Sequence, residues 1–197
     1  MKPHSEACER NKQPILDELK KALGEETAHV LEIGSGTGQH AAFFAAHLPR
    51  VTWQTSDLPE HHRGIQMWIE ETDLPNLRAP LALDVTEAQW PLQRSDAVFC
   101  ANVIHIVAWR VTQALFAGVG KILKSGDRFF TYGPYNLQGQ FTSESNARFD
   151  QWLRARNPEW GIRDLEALTQ LGEASSLFLQ NNTPMPANNR FLTWQKG

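Results

Sequence analysis

The chain has few cysteines and no long apolar run, and each shortage excludes a class of protein. Cys8 and Cys100 are its two cysteines, far apart and in different contexts, so neither a disulfide framework nor a C-x-x-C metal site is supported. The longest apolar stretches, such as residues 41–46 and 98–107, are too short or too interrupted to span a bilayer. Because the first six residues also lack the apolar region of a signal peptide, we expect a cytoplasmic protein without a membrane partner.

Positive charge is also scarce. Lysine and arginine number 19 against 22 acidic residues, and they form no cationic stripe, so nucleic-acid binding is not favoured. The adjacent His61 and His62 lack a third ligand nearby, and we expect no metal site. A length of 197 residues with 41% apolar content, without repeats or low-complexity segments, indicates one compact domain over residues 1–197.

What the chain does have is a short apolar run that breaks into alternating glycines. Residues 30–33 lead into Gly34, Gly36 and Gly38, and a helical pattern begins at Gln39. Glycine lets the backbone bend sharply and lie against a ligand, and the following helix presents free N–H groups at the same place. This pattern is typical of a nucleotide-binding turn.

The spacing of the glycines narrows the choice of nucleotide. A dinucleotide-binding fingerprint requires glycine or alanine at position 39, and the chain has Gln39 there, which weakens an interpretation as an NAD-linked oxidoreductase. With Glu32 two residues ahead, the pattern E-x-G-x-G-x-G resembles the first motif of class I S-adenosylmethionine (AdoMet) methyltransferases. The resemblance implies that the cofactor-binding residues of this turn are Glu32, Gly34, Ser35, Gly36 and Gly38.

Three further polar residues stand at predicted strand ends. Asp57 follows the second strand, where a carboxylate can accept hydrogen bonds from both ribose hydroxyls. In this methyltransferase class an acid or amide after the third strand faces the adenine amino group, which implies that role for Asp84. Asn102 would lie beside the transferable methyl and is a cofactor-binding candidate, whose amide could hold the cofactor or the acceptor or make a local turn bond. The alternative for each acid is a helix cap or a turn.

Alternating strand and helix patterns predict an α/β fold, a Rossmann-like doubly wound seven-stranded sheet of the class I methyltransferase type. Its last two strands, at 177–180 and 190–194 around a loop at 181–189, are expected to form an antiparallel terminal pair. Residues 1–25 are interpreted as an N-terminal helical flap and residues 134–163 as an insertion that roofs a pocket. The other predicted elements are helices at 14–23, 39–48, 61–72, 109–123 and 164–172, and strands at 28–33, 51–56, 79–83, 95–101 and 126–132.

Short motifs outside the glycine turn resemble a domain-of-unknown-function family of methyltransferase-like proteins over about residues 5–194. One departure is Gly34-Ser35-Gly36, where many relatives carry Ala-Ser-Gly. The resemblance implies AdoMet binding and methyl transfer, and it leaves the acceptor blank. The motifs are Ser5-x-Ala7-Cys8-x-Arg10-Asn11, Asn102-x-x-His105, Tyr132-Gly133-Pro134-Tyr135, Ser145-Asn146, Trp160-Gly161-Ile162-Arg163-Asp164 and Met185-Pro186-Ala187-Asn188-Asn189.

Methyl transfer needs little from side chains, because a sulfonium is already a good leaving group and a base is needed only when the nucleophile must lose a proton. His105, just past the fourth predicted strand, is the candidate base. Tyr132 and Tyr135 are further catalytic candidates, since a phenol can line a pocket and donate a hydrogen bond. The alternatives are that His105 bonds a carbonyl or orients the cofactor, and that at least one tyrosine packs in the core.

The acceptor is expected to be a small molecule. Arg10 and Asn11 lie in the flap, where a guanidinium suits the carboxylate of AdoMet or of an acidic acceptor, although plain surface exposure explains Arg10 equally well. Asn146, Arg163 and Asn188 are the other substrate-binding candidates, and we expect these residues to converge with the catalytic ones over the carboxyl ends of the strands. A non-catalytic AdoMet-binding or interaction protein is the second interpretation. The oligomeric state stays open.

Overall fold

The computed structural model describes residues 2–25 and 28–197. Its helices are α1 (Glu6–Leu23), α2 (Gln39–His47), α3 (Pro59–Thr72), α4 (Trp109–Ile122), α5 (Glu144–Arg156) and α6 (Leu165–Ala174). The strands are β1 (Ala28–Ile33), β2 (Val51–Asp57), β3 (Leu77–Ala82), β4 (Ala97–Ala101), β5 (Arg128–Gly133), β6 (Tyr135–Asn136), β7 (Arg163–Asp164), β8 (Leu177–Met185) and β9 (Asn189–Lys196). Most predicted boundaries differ from these by a few residues.

Seven of the strands in the described part of the chain form one sheet, in the order β3-β2-β1-β4-β5-β9-β8. β1 pairs in parallel with both β2 and β4, and β2 pairs in parallel with β3. β9 runs antiparallel to β5 and to β8. The expected α/β fold with an antiparallel terminal pair is confirmed.

The chain forms two compact parts, residues 1–100 and residues 101–197. The first contains α1 to α3, β1 to β3 and nearly all of β4. The second begins at the last residue of β4 and contains the remaining elements. The single domain stays a prediction.

The core of the first part is an aromatic cluster that joins α2 to the sheet. Phe44 of α2 lies 5.2 Å from Trp53 of β2 and 5.5 Å from Phe99 of β4, measured between ring centroids. All three side chains are fully buried. Aromatic rings bury large apolar areas and contribute a further favourable edge-to-face term, so this cluster fixes α2, which begins at the glycine turn.

The predicted start of the first helix, at residue 14, is wrong. α1 begins eight residues earlier, at Glu6, because the Ser5 hydroxyl accepts a hydrogen bond from the Cys8 N–H and caps the helix. Pro14 lies inside the helix, where it removes one backbone hydrogen bond. Proline is common in the first turn of a helix, which is why the sequence pattern favours a start there.

The second part has its own aromatic core. Phe116 of α4 lies edge-on to Phe129 of β5 and to Trp194 of β9, at 5.4 and 5.3 Å between centroids. The predicted insertion at 134–163 folds into β6, α5 and the start of β7, and β6 pairs with β7 in a separate two-stranded sheet.

The predicted loop at residues 181–189 is wrong, because β8 continues to Met185 and β9 begins at Asn189. The turn between them is a short 3₁₀ segment with positive φ at Ala187 and Asn188. β8 is the last strand of the sheet, and an edge strand accommodates polar residues and a proline such as Pro184. These residue types are the ones that favour a loop in a single sequence.

None of the helices within residues 2–25 and 28–197 has the length and apolar character needed to cross a membrane.

Gly38 is required for packing as well as for its backbone conformation. Its φ is +87°, and a Cβ atom there would lie 2.9 Å from the Ile65 Cα of α3. Gly126 has a similar φ of +90° with no atom within 4 Å of the added Cβ. We expect Gly126→Ala to lower the free energy of unfolding by about 1–2 kcal/mol for the left-handed backbone, and Gly38→Ala to lower it by a further 1–3 kcal/mol or so through overpacking.

Urea unfolding followed by tryptophan fluorescence measures both losses. Equal losses for the two variants would contradict the close approach of α3 to the glycine turn.

Candidate cofactor and acceptor sites

The glycine turn is fastened to the end of β2 by backbone hydrogen bonds. The N–H groups of Gly34 and Ser35 both donate to the Ser56 carbonyl, each at 3.0 Å. The Ser35 hydroxyl accepts from the Ser56 N–H at 3.2 Å. Gly34 and Gly36 have φ of +73° and +57°, a region that glycine enters without steric cost. The local fold therefore depends on the glycines that the sequence singled out.

Gly36 has an open face that no protein atom fills. A Cβ atom there would approach only the Gly34 carbonyl oxygen, at 4.0 Å. A cavity of about 600 Å³ begins at the same place, which is within the usual size of a small-molecule site. Its lining comes from the turn, α3 and the N-terminal segment: Pro3, Gly36, Thr37, Glu60, His61, Arg63, Gly64 and Met67. The turn thus leaves room for a bound cofactor.

Asp57 stands at the end of β2 beside this cavity. Its Oδ2 accepts from the Gly36 N–H and its Oδ1 from the Leu58 N–H, both at 2.7 Å. The cavity-lining His61 has its Nε2 4.0 Å from Oδ1. A carboxylate oxygen has two lone pairs, so each oxygen keeps capacity for a hydroxyl donor. This geometry is compatible with the ribose contact, which stays a prediction.

Asp84 forms a turn, which was the alternative to its predicted contact with adenine. Its Oδ1 accepts from the Thr86 N–H at 2.9 Å and from the Thr86 hydroxyl at 2.7 Å. These two hydrogen bonds lower the pKa of the exposed Asp84 carboxyl, because they favour its charged form. Its contact with adenine stays a prediction.

Glu32 lies beneath the turn and is almost completely buried, at 2% exposure. Its Oε2 accepts from the Trp53 indole N–H at 3.2 Å, and its carbonyl accepts from the Ser56 hydroxyl at 2.6 Å. Burial raises the pKa of Glu32 to about 7, against the opposing effect of hydrogen bonds from Ser35 and Trp53. Glu32 therefore supports the turn from below, and its contact with the cofactor stays a prediction.

Gln39, which replaces the third glycine of a dinucleotide fingerprint, fastens the N-terminal helix to the turn. The Gln39 side chain is buried, and its Oε1 accepts from the Ser5 N–H and from the Thr37 hydroxyl. Its Nε2 donates to the Glu9 carboxylate at 3.0 Å. Sequence reasoning used Gln39 only to weaken the NAD interpretation and missed this role.

The flap residues Arg10 and Asn11 lie in different environments. Asn11 Oδ1 accepts a hydrogen bond from Nε2 of His40 at 2.7 Å, and the other ring nitrogen of His40 lies 3.9 Å from the Cys8 sulfur. Burial lowers the pKa of His40 to about 4, so the imidazole is neutral at pH 7. Arg10 is 71% exposed and pairs with Glu6 one turn away. Arg10 thus has the exposed surface position that was the alternative to a binding role. The substrate-binding role of Arg10 and Asn11 stays a prediction.

In the second part, Asn102 and His105 face the same glycine. Asn102 has φ of +59°, and its N–H donates to the Tyr132 carbonyl at 2.8 Å. A Cβ atom on Gly133 would lie 3.5 Å from His105 Nδ1 and 3.8 Å from Asn102 Oδ1. The structure therefore places two predicted site residues together at the end of β5.

His105 is buried and neutral. The side chain is 6% exposed and lies edge-on to Phe149, with 5.4 Å between ring centroids. Burial, together with a smaller effect of the positive charge of Arg163, lowers the pKa of His105 to about 4. The imidazole is ready to accept a hydrogen bond at pH 7, but it is a weak base.

Tyr132 and Tyr135 are both buried, at 3% and 2% exposure. This is the core position that the sequence allowed for at least one of them, and a phenol at such a position needs a hydrogen-bond partner. Their catalytic role stays a prediction.

Asn146 and Asn188 come together in the structure. Asn146 Nδ2 donates to the Asn188 carbonyl at 3.1 Å, and Asn188 Nδ2 donates to the Ser145 hydroxyl at 3.1 Å. These bonds fasten the turn between β8 and β9 to the first turn of α5. Because they occupy the Asn146 amide nitrogen, they give it a structural role, while substrate binding by either residue stays a prediction.

A buried carboxylate on α5 organises the segment before Arg163. Asp150 Oδ1 accepts from the Ile162 N–H and Oδ2 from Arg154 Nε, both at 2.7 Å. A Cβ atom on Gly161 would lie 2.6 Å from Arg154 Nη2 and 2.8 Å from Asp150 Oδ1. Only glycine fits without displacing this pair, which explains the glycine at position 161.

The same segment supports His105. The Gly161 N–H donates to the His105 carbonyl at 3.0 Å. Arg163 Nη2 donates to the Val107 carbonyl at 2.5 Å and to the Glu159 carbonyl at 2.7 Å. The chain around His105 is thus held at two successive points. The wider convergence of all the predicted acceptor residues involves both compact parts and stays a prediction.

The sheet order with its reversed terminal pair and the glycine turn after β1 define a class I methyltransferase fold. Residues 2–196 match a family model described as "Protein of unknown function (DUF938)", and the chain belongs to this family. The expected domain-of-unknown-function family of methyltransferase-like proteins is confirmed.

Solved structures with the same fold are methyltransferases. An O-methyltransferase family protein from Burkholderia thailandensis is 18% identical with a TM-score of 0.83, over 97% of this chain and 57% of that one. Human N-acetylserotonin methyltransferase in complex with SAM is 15% identical with a TM-score of 0.80, over 98% and 53%. An O-methyltransferase family 2 protein from Planctomyces limnophilus in complex with apigenin is 15% identical with a TM-score of 0.77, over 94% and 62%. This chain spans little more than half the length of these proteins, and likeness at such identities shows the fold alone.

Glu32 makes the free energy of unfolding fall as pH rises. Its pKa is about 7 in the folded protein against an ordinary value of 4.5, so the folded state keeps a proton that the unfolded chain releases. The stabilisation is complete below pH 4.5 and is lost as pH rises through 7. As pH rises through this range, the parent should lose about 3 kcal/mol of its free energy of unfolding through Glu32. Glu32→Gln stays neutral and keeps an oxygen for Trp53, so we expect this loss to be absent in the variant.

Urea unfolding of parent and variant at a series of pH values measures the difference. The comparison with the parent is needed because His40 and His105, with lowered pKa values, lose stability in the opposite direction, as pH falls. Parallel pH profiles for the two proteins would contradict the buried, protonated carboxyl.

Proposed function

We propose that this chain is an AdoMet-dependent methyltransferase that acts on a small molecule. The observation that carries the proposal is the open face of Gly36, beside a carboxylate at the end of β2 and a cavity of about 600 Å³. AdoMet needs such features: a backbone that permits close approach and an acceptor for ribose hydroxyls. The methyltransferase fold and the SAM-bound human neighbour support this choice of cofactor.

The chain's own residues would divide the work of holding the cofactor. The turn from Gly34 to Gly38 would receive the cofactor against its backbone, with Asp57 accepting from ribose hydroxyls and Asp84 from the adenine amino group. When bound, AdoMet supplies an activated methyl group. Glu32 keeps the turn in shape by its hydrogen bond to Trp53.

The acceptor would be bound by the residues that follow β4. β1 and β4 are parallel neighbours, and the carboxyl ends of parallel strands are where ligands bind in open α/β sheets. The glycine turn follows β1, and Asn102 and His105 follow β4. The neutral His105 ring would hydrogen-bond to the acceptor, while the chain positions it and excludes water. The names of the structural neighbours, which are O-methyltransferases, support an oxygen acceptor.

Two measurements separate this function from its alternatives. Calorimetric affinity for AdoMet against NAD distinguishes a methyltransferase from an NAD-linked oxidoreductase. Formation of S-adenosylhomocysteine in the presence of a metabolite extract distinguishes an enzyme from a non-catalytic AdoMet-binding protein. Tight AdoMet binding without any S-adenosylhomocysteine would favour the non-catalytic alternative.

Gly36→Val should abolish AdoMet binding and leave the fold intact. The valine side chain would project into the open face, where it meets no protein atom closer than 4.0 Å at Cβ but would occupy the cofactor's volume. Calorimetry measures the affinity, and circular dichroism checks the fold. Gly126→Val is the matched control, because its φ is also positive and its added Cβ is free of contacts. Parent-like AdoMet affinity in Gly36→Val would refute the proposed cofactor site.

Asp57→Ala should weaken AdoMet binding by about 1.5–3 kcal/mol, the range for hydrogen bonds to a charged group. Calorimetry at pH 7 gives the dissociation constant. Glu70→Ala, which removes a carboxylate from the exposed end of α3, is the control and should leave the constant unchanged. If Asp57→Ala also leaves it unchanged, the ribose is bound elsewhere.

A further inference from the structure

Arg163 is a half-buried cation that lacks a carboxylate partner among the described residues. Its two hydrogen bonds go to backbone carbonyls, and its Nε is buried without any partner. Two nearby arginines in the same part of the chain are paired, Arg154 with Asp150 at 2.7 Å and Arg110 with Glu159 at 2.5 Å. The charge of Asp150 also acts on Arg163, but the Asp150 oxygens are bonded to Arg154 and to the Ile162 N–H. Arg163 is therefore the one of these three without a direct ion pair.

A half-buried guanidinium without a direct ion pair carries a cost. Burial lowers the pKa of Arg163, although a guanidinium stays charged in proteins. A charge that is partly removed from water is destabilising until a counterion or hydrogen-bond acceptors replace the lost hydration. The Val107 and Glu159 carbonyls replace part of it. A bound anion would replace the rest.

The electrostatics of His105 lead to the same kind of ligand. Histidines that act as general bases are commonly oriented by a carboxylate, which stabilises the imidazolium. In the described part of residues 101–197 the charge that acts on His105 is instead that of Arg163, and together with burial it lowers the pKa of the ring to about 4. Such a base is poorly suited to take a proton from an alcohol or an amine.

We propose that the acceptor is an organic acid whose carboxylate binds at Arg163 and accepts a hydrogen bond from the neutral His105 ring. This inference rests on the proposed methyltransferase function. A carboxylate oxygen has no proton to lose, so a weak base is sufficient. A lone pair of that oxygen would form the new bond to the methyl carbon, the electron pair of the broken carbon–sulfur bond would stay on sulfur, and the product would be a methyl ester.

Arg163 suits this role better than the other arginine predicted to bind an anion. Arg10 is 71% exposed and already paired with Glu6, and exposed ion pairs contribute little. Arg163 is half-buried, and its Cζ lies 5.9 Å from the centre of the Trp109 ring. Planar guanidinium groups match carboxylates in geometry.

Binding of benzoate at pH 7, followed through the His105 Cε1 proton resonance, tests the inference directly. Benzamide, of the same shape but neutral, is the matched probe, and acetate with acetamide forms a second pair. The resonance is assigned by its loss in His105→Gln. We expect both carboxylates to shift it and both amides to leave it in place. If the carboxylates shift it no more than the amides do, the inference is wrong.

Three variants show whether Arg163 acts through its charge. Arg163→Met should weaken benzoate binding about tenfold or more and raise the pKa of His105 in the free protein. Arg163→Lys keeps the charge but loses the planar group and its contact with two carbonyls, so it should weaken benzoate binding less than Arg163→Met does. Arg148→Met, on the exposed face of α5, should bind benzoate like the parent.

The same three variants also test whether Arg163 has only a structural role. Equal losses in Arg163→Lys and Arg163→Met would mean that the contact with the carbonyls matters and the charge does not, which overturns the inference. Parent-like benzoate binding in Arg163→Met overturns it as well.

Failure of this inference is distinguishable from failure of the proposed function. The benzoate experiment uses the protein without cofactor, so it does not depend on AdoMet affinity. In parallel, a metabolite extract is split on an anion-exchange resin, and S-adenosylhomocysteine formation is expected from the retained fraction. Activity confined to the unretained fraction overturns the acidic acceptor and keeps the methyltransferase; absence of AdoMet binding overturns the methyltransferase and leaves the benzoate result standing.

Discussion

The attachment of the glycine turn to the end of β2 is the constraint on which the first part of the structure depends. Two adjacent N–H groups converge on the Ser56 carbonyl, and the Asp57 carboxylate accepts from Gly36. These bonds replace those that the end of β1 would otherwise leave unmade. They also set where α2 begins, which in turn positions Gln39 and the start of α1. A change in the turn would therefore alter the cavity at Gly36 and the N-terminal helix together.

Buried titratable groups are concentrated around the two candidate sites. Glu32, His40 and His105 are each less than 7% exposed. Burial raises the pKa of the glutamate and lowers the pKa of both histidines, which in each case favours the neutral form. A neutral group avoids most of the desolvation penalty and can still hydrogen-bond. Around the glycine turn, Glu32 therefore keeps a proton to a higher pH than an exposed glutamate does. Around His105 the charge that acts on the ring is that of Arg163, and the proposed acidic acceptor rests on it.

The sequence was sufficient for the fold because its signals there are local. The apolar runs of β1, β2 and β4 and the glycine spacing do not depend on distant partners, and the structure has them where they were predicted. The start of α1 and the length of β8 were mispredicted for the same reason. Pro14 and the polar run before Pro184 have strong local preferences, and the cap at Ser5 and the edge position of β8 override them.

The sequence predicts which residue types occupy the candidate sites, but not which of these residues contact one another. Nothing local in the sequence shows that Gln39 binds Ser5, that Asn146 binds Asn188 or that Asp150 requires a glycine at position 161. Each contact joins segments separated by 11 or more residues, so only the folded chain reveals it. Glycine without a neighbour, as at Gly36, and glycine against a neighbour, as at Gly38, also look the same in a sequence.

Residues of the family's sequence motifs therefore have a structural role, which explains them without direct ligand contact. Gly161 accommodates the ion pair of Arg154 with Asp150, and Asn188 closes the hairpin onto α5. Gly161 and Asn188 are thus constrained by the fold itself, whether or not their segments meet a ligand. Arg163 differs from them, because its backbone contacts engage one nitrogen and leave a buried one without a partner. A residue whose structural contacts do not compensate its charge is where recognition of a charged acceptor has a physical reason to occur.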